Sequence, residues 1–183
     1  MKIPTGTPRS TGRAHASTAG FEGEIRVSEQ LSLTDIRRCV VGERITGVRR
    51  VYYVLGNVIQ SWNGPVEVTV AGRESFVFDA GPDGEELVCR GGPWLDPFED
   101  GGVGGDRELG AENAGYVAEY GKWTVFDAGE DSEFRTIVGH RIEALTVDTV
   151  GDGKPVTAVF DLGDRSVVLA AMGDELVTTV RAR

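Results

Sequence analysis

Histidine and cysteine are scarce in this 183-residue chain, which has only His15, His140, Cys39 and Cys89. No C-x-x-C or H-E-x-x-H spacing occurs, so neither usual zinc-ligand pattern is available. Two isolated cysteines make no disulfide framework, and a reduced, cytoplasmic setting is the expectation. A Gly-x-Ser-x-Gly nucleophile elbow is also missing. Positive charge is short: 19 Lys and Arg stand against 29 Asp and Glu, for a net charge of −10. Phosphate binding needs clustered basic side chains, so nucleic acid is not an expected partner. The same deficit argues against an anionic membrane surface. No apolar run approaches the roughly 20 residues of a membrane span.

Two motifs offer a cofactor or metal only superficially. Gly102-Val103-Gly104-Gly105-Asp106-Arg107 lacks the third glycine of a dinucleotide loop and has no βαβ unit around it. The run Asp79 to Glu86 has the acidity of a calcium loop without its ligand spacing. No cofactor and no metal are therefore expected.

What is present is a stretch that occurs twice. Val41-Gly42-Glu43-Arg44-Ile45 returns 97 residues later as Val138-Gly139-His140-Arg141-Ile142. Around it, Gly64-Pro65-Val66 answers to Lys154-Pro155-Val156, and Glu86-Leu87-Val88 to Glu175-Leu176-Val177. Gly23 to Val27 lies near the same offset from Gly121 to Val125. The order of these matches predicts a mainly β protein built from two β-α-β-β-β-β halves, internally duplicated antiparallel meanders with a few short helices. Each half alone is too small for a thick core. The halves should share one, as a barrel or as packed sheets.

The chain divides accordingly. Residues 1–22 are rich in Ser, Thr, Gly and Pro and read as a disordered or loosely docked extension. Residues 23–90 form the first repeat, 91–120 a Gly/Pro linker plus a short helix, and 121–183 the second repeat. Ser32 to Val40 has a capping residue, an early acid and late arginines, which predicts a short helix that Gly42 ends. Asp131 to Gly139 has the same grammar. Strands are expected over 45–55 and 142–149, with residues 56–64 as a long hairpin tip. Val66, Val68 and Val70 alternate with polar or small residues, so one face is buried.

Candidate site residues are few. On the first long strand, Arg49 and Tyr53 share one face, and Arg50 and Tyr52 share the other. Such a pair can line a pocket, with Arg holding an anion and Tyr donating a proton. The plainer reading, and the expected one, is a cross-strand pair on a solvated face. Trp62, Trp94, Phe98 and Trp123 complete the set. Trp94, Leu95 and Phe98 interrupt a linker that should be polar, and each large apolar side chain gains roughly 1.5–3 kcal/mol on burial. Pro93 and Pro97 stiffen the segment. It is expected to lie across the seam between the halves with Trp94 inserted, or else to stay exposed as a partner's hot spot.

Two functions remain open. One is a small, acidic, non-catalytic binding or accessory protein of a bacterial cell, of immunity or antitoxin type, whose charge would attract a basic protein. The other is a cofactor-free β-barrel cyclase or isomerase acting on an apolar small molecule. An enclosed pocket of roughly 300 Å³ or more favours the enzyme. A filled core with an acidic exposed face favours the binder.

Overall fold

The computed structural model describes residues 30–98 and 107–183. The expectations for residues 1–22, for the repeat match at Gly23 to Val27 and for the glycine run up to Asp106 fall largely or wholly outside these residues. Strand makes up 51% of the structure and helix 16%, so the fold is mainly β.

Helix α1 spans Leu33–Val40, and the Ser32 side chain accepts from the Asp35 N–H at its start. Strand β1 follows over Ile45–Leu55, then β2 over Val58–Ser61, β3 over Val66–Val70, β4 over Ser75–Ala80 and β5 over Leu87–Gly91. Helix α2 covers Arg107–Tyr120 and leads into β6 at Lys122–Asp127. Arg50 pairs with both Val66 and Phe126, and Tyr53 with both Ser61 and Trp123. One edge of β1 therefore carries β2 and then β3, while β6 takes the other edge. With β4 and β5 beyond β3, this makes an antiparallel six-stranded sheet. The second sheet is a four-stranded antiparallel meander of β7 (Ala144–Val150), β8 (Lys154–Asp161), β9 (Arg165–Met172) and β10 (Glu175–Ala182).

Alternation decides how the sheets meet. Val66, Val68 and Val70 turn inward with Phe76 and Phe78, and from the other sheet come Ala158, Phe160, Val167 and Leu169. The Phe78 and Phe160 rings stand perpendicular with centroids 5.4 Å apart. The sheets share this single core, and the void within it is only about 10 Å³. No helix among the described residues is long and apolar enough to cross a membrane.

The twice-written stretch is where the halves are joined. The Gly42 N–H donates to the Ile142 carbonyl at 2.8 Å, and the Gly139 N–H to the Ile45 carbonyl at 2.7 Å. The Ile45 N–H donates to His140, and the Ile142 N–H to Glu43, both at 2.9 Å. Each bond has its counterpart with the segments exchanged, which is the pattern of an isologous contact. Gly42 and Gly139 have φ of +92° and +90°, a region L side chains avoid. Strands β1-β3-β4-β5 and β7-β8-β9-β10 also neighbour one another in the same sequential order. These features are compatible with duplicated halves.

The halves are not identical. The expected tip over 56–64 is shorter, because Gly56 and Asn57 both take positive φ and turn the chain at once. Val58–Ser61 then pairs back as β2. Asp131 to Gly139 holds only a 3-10 turn, Phe134–Thr136, instead of an α-helix. The Asp131 side chain accepts from the Glu133 N–H at 2.9 Å, a local bond that competes with helix. Strand β7 starts at Ala144 and not at Ile142, whose backbone N–H and C=O are engaged with the first half.

Candidate functional site: an aromatic and acidic cleft

Strand β1 sends its candidate residues to two places. Arg50 and Tyr52 are 4% and 6% exposed, so theirs is not a solvated face. The Arg50 guanidinium carbon lies 4.8 Å from the centre of the Phe134 ring and 5.2 Å from that of Tyr52. Its Nη2 donates to the Trp62 carbonyl at 2.8 Å, while its Nε has no partner among the described residues. Burial lowers the Arg50 pKa, and Tyr52, Asp131 and Glu133 oppose that. Burial likewise raises that of Tyr52, against the pull of Arg50. Trp62 and Phe126 crowd Tyr52 with centroids at 5.0 and 5.5 Å. This is a cation packed among rings, worth on the order of 2 kcal/mol per contact when desolvated.

Arg49 lies on the opposite face and pairs with Glu67. Glu67 is 2% exposed, and its Oε2 also accepts from the Trp94 N–H at 2.8 Å. One buried carboxylate thus ties the segment after β5 to the outer face of the six-stranded sheet. Trp94 and Phe98 are half-buried there, and Leu95 stays 66% exposed. The segment docks, but Trp94 is not inserted into the core between the sheets. Further along, Asp96 pairs with Lys122, and the Phe98 ring stacks on Tyr116 at 5.9 Å.

Tyr53 donates its hydroxyl to the Tyr120 carbonyl and meets Trp123 edge-on at 5.5 Å. Trp123 in turn covers Gly64, where an added Cβ would fall 2.5 Å from the indole and 2.3 Å from the Val51 carbonyl. Only glycine permits that approach.

These pieces enclose a cleft of about 470 Å³ that is open to solvent. Trp94, Leu95, Phe98 and Trp123 make its apolar walls. Asn63, Asp79, Arg90, Asp174 and Glu175 supply its polar groups. Glu175 belongs to the second half and is held by the first: its oxygens accept from Ser61 Oγ at 3.0 Å and from Asn63 Nδ2 at 2.9 Å. Asp79 is 3.5 Å from Arg90, and burial raises its carboxyl pKa more than Arg90 lowers it.

A second cleft, of about 480 Å³, is built from corresponding pieces with the halves exchanged: the β4–β5 turn and the β7–β8 tip. Lys154 at that tip reaches Glu85 at 3.2 Å and Asp83 at 3.5 Å. Its walls are Leu31, Leu33, Leu87, Leu145 and Val147, with Arg37 and Glu86 as one charge of each sign. Among the described residues it has no aromatic side chain.

Of the expected residues, Trp94, Phe98 and Trp123 come together in the first cleft, with Tyr53 behind Trp123. Arg50 and Tyr52 form a separate buried cluster with the largely exposed Trp62 at its margin, and Arg49 serves Glu67. Arg90, Asp174 and Glu175 are not candidates in the sequence, and Asp79 appears there only as the start of the rejected calcium-like run. The three acids sit in a turn or near a strand end, where acidic residues read as solvated surface. Among the described residues no group of three or more His, Cys, Asp or Glu side chains could hold a metal ion. A scan of family models, a search of curated proteins and a search of solved structures each return no match.

Proposed function

We propose that this chain is a non-catalytic binding protein, of accessory or inhibitor type, that engages its partner at the aromatic cleft. The observation carrying this reading is the contrast between cleft and core. The void between the sheets is about 10 Å³ and lined by apolar side chains such as Val48, Phe134 and Phe160. A barrel-type cyclase acting on an apolar molecule needs an enclosed chamber of several hundred Å³. The open cleft instead presents large rings at a solvent-facing edge, and Trp is the residue type most often dominant in protein recognition.

The test uses the full chain and a Trp94→Ala/Trp123→Ala variant whose fold is checked by circular dichroism. Protein retained from a host extract by the parent and not by the variant is identified and titrated calorimetrically. A saturable one-to-one complex, weakened at least tenfold in the variant, supports the reading. Equal binding by parent and variant, or turnover of a small molecule with no complex formed, overturns it.

A further inference from the structure

We propose that the cleft recognises a guanidinium group, so that the partner presents an arginine side chain to it. This rests on the reading above and adds the chemistry. Glu175 is fixed in place by Ser61 and Asn63, which are neutral donors. They orient the carboxylate without cancelling its charge. A carboxylate has about four acceptor positions, so two are left for a ligand. No Lys or Arg side chain among the described residues forms an ion pair with Glu175 or with Asp174. Asp174 is held at a turn with φ +67° and packs against Gly84, where an added Cβ would fall 2.2 Å from its Oδ1. Among the described residues Arg90 is the only basic one lining the cleft, and it faces Asp79. The cleft therefore has more fixed negative charge than internal positive charge.

The walls point the same way. The faces of Trp94, Phe98 and Trp123 carry negative quadrupole charge and attract a cation. A guanidinium fits both features, since its plane stacks on an indole while its fork of N–H donors meets a carboxylate. Among its described residues the counterpart cleft, of similar volume, has neither property, with aliphatic walls and one charge of each sign. The net charge of −10 adds a long-range field that draws in a basic partner.

The experiment titrates the full chain with the capped tripeptide Ac-Gly-Arg-Gly-NH₂ and with its citrulline analogue, which has the same shape but no charge. The readout is the indole N–H resonance of each tryptophan, with Trp62, outside this cleft, as internal reference. The arginine peptide is expected to shift Trp94 and Trp123 saturably and leave Trp62 in place. Citrulline should bind at least tenfold more weakly, as should arginine to Glu175→Gln and, independently, to Asp174→Asn. Equal binding of the two peptides overturns cation recognition and leaves the cleft as a binding site. No shift with either peptide, while the partner complex still depends on Trp94 and Trp123, also overturns the guanidinium assignment alone. No shift and no such complex overturns both readings.

Discussion

Arg44 and Arg141 face each other across a single antiparallel bridge, at equivalent places in the stretch the chain contains twice. Arg44 turns its Nη1 to the Gly139 carbonyl, at 2.7 Å. The backbone bonds on either side run reciprocally from glycine to isoleucine. The join between the sheets is therefore made by main chain, and its geometry rests on two glycines.

Substituting those glycines should expose that dependence. An added Cβ at Gly42 or Gly139 meets nothing within 4 Å, so any cost is conformational and not steric. Gly42→Ala and Gly139→Ala should each destabilise by about 1–3 kcal/mol. Gly→Asn should cost less, since Asn tolerates positive φ. Urea denaturation of the four variants checks this, and equal losses for Ala and Asn would count against a purely backbone cause.

Much of this architecture was legible. The alternation of Val66, Val68 and Val70 gave the buried face of β3, but the twinned Val-Gly-x-Arg-Ile did not reveal that its two copies hydrogen-bond to each other. What was not legible depends on residues far apart in sequence. Glu67 alternates with valines and reads as solvent-facing, yet Arg49 and the Trp94 N–H converge on it. Arg50 reads as surface too, and the rings of Tyr52 and Phe134 with the carbonyl of Trp62 account for its burial. The cleft escaped for the same reason: Glu175 gains its role from Ser61 and Asn63, more than 100 residues away.

Glu67 should matter more than the tryptophan it tethers. Glu67→Ala leaves Arg49 and the Trp94 N–H without their acceptor and should cost about 2 kcal/mol, typical of hydrogen bonds to a charged group. It should also release the segment around Trp94, seen as a red shift in tryptophan emission. Trp94→Ala keeps the backbone bond and should change thermal stability less. A larger loss for Trp94→Ala would mean that ring burial, not the carboxylate, holds the segment.

Asp79 should make stability depend on pH in the less common direction. Burial is the largest influence on its carboxyl and raises the folded pKa, with Arg90 opposing. The folded state therefore holds this proton more tightly than the unfolded chain. The stabilisation is complete below the ordinary value of about 3.9 and is lost as pH rises through the folded value. Asp79→Asn removes this dependence and should flatten the stability profile from about pH 4 upward. Urea midpoints of both proteins across that range check the sign.

The two cysteines should separate by reactivity. Cys89 is 1% exposed and its thiol pKa is pushed well above the ordinary range by burial, so little thiolate forms near neutral pH. Cys39 is partly accessible. A thiol reagent at neutral pH should label Cys39 in the folded protein and Cys89 only when denaturant is added, as read by peptide mass spectrometry. Labelling of Cys89 at the same rate as Cys39 would show that β5 opens locally.

The reciprocal join also sets an order of events during synthesis. Ile45 and Gly42 find their backbone partners about 97 positions further along, so the first meander leaves the ribosome without them. Its valine and phenylalanine face stays uncovered until β8 and β9 emerge. Contacts this distant slow folding, because the loop between them must close first. During that interval the nascent chain offers an open apolar sheet to other chains, and a chaperone would be needed most at that stage.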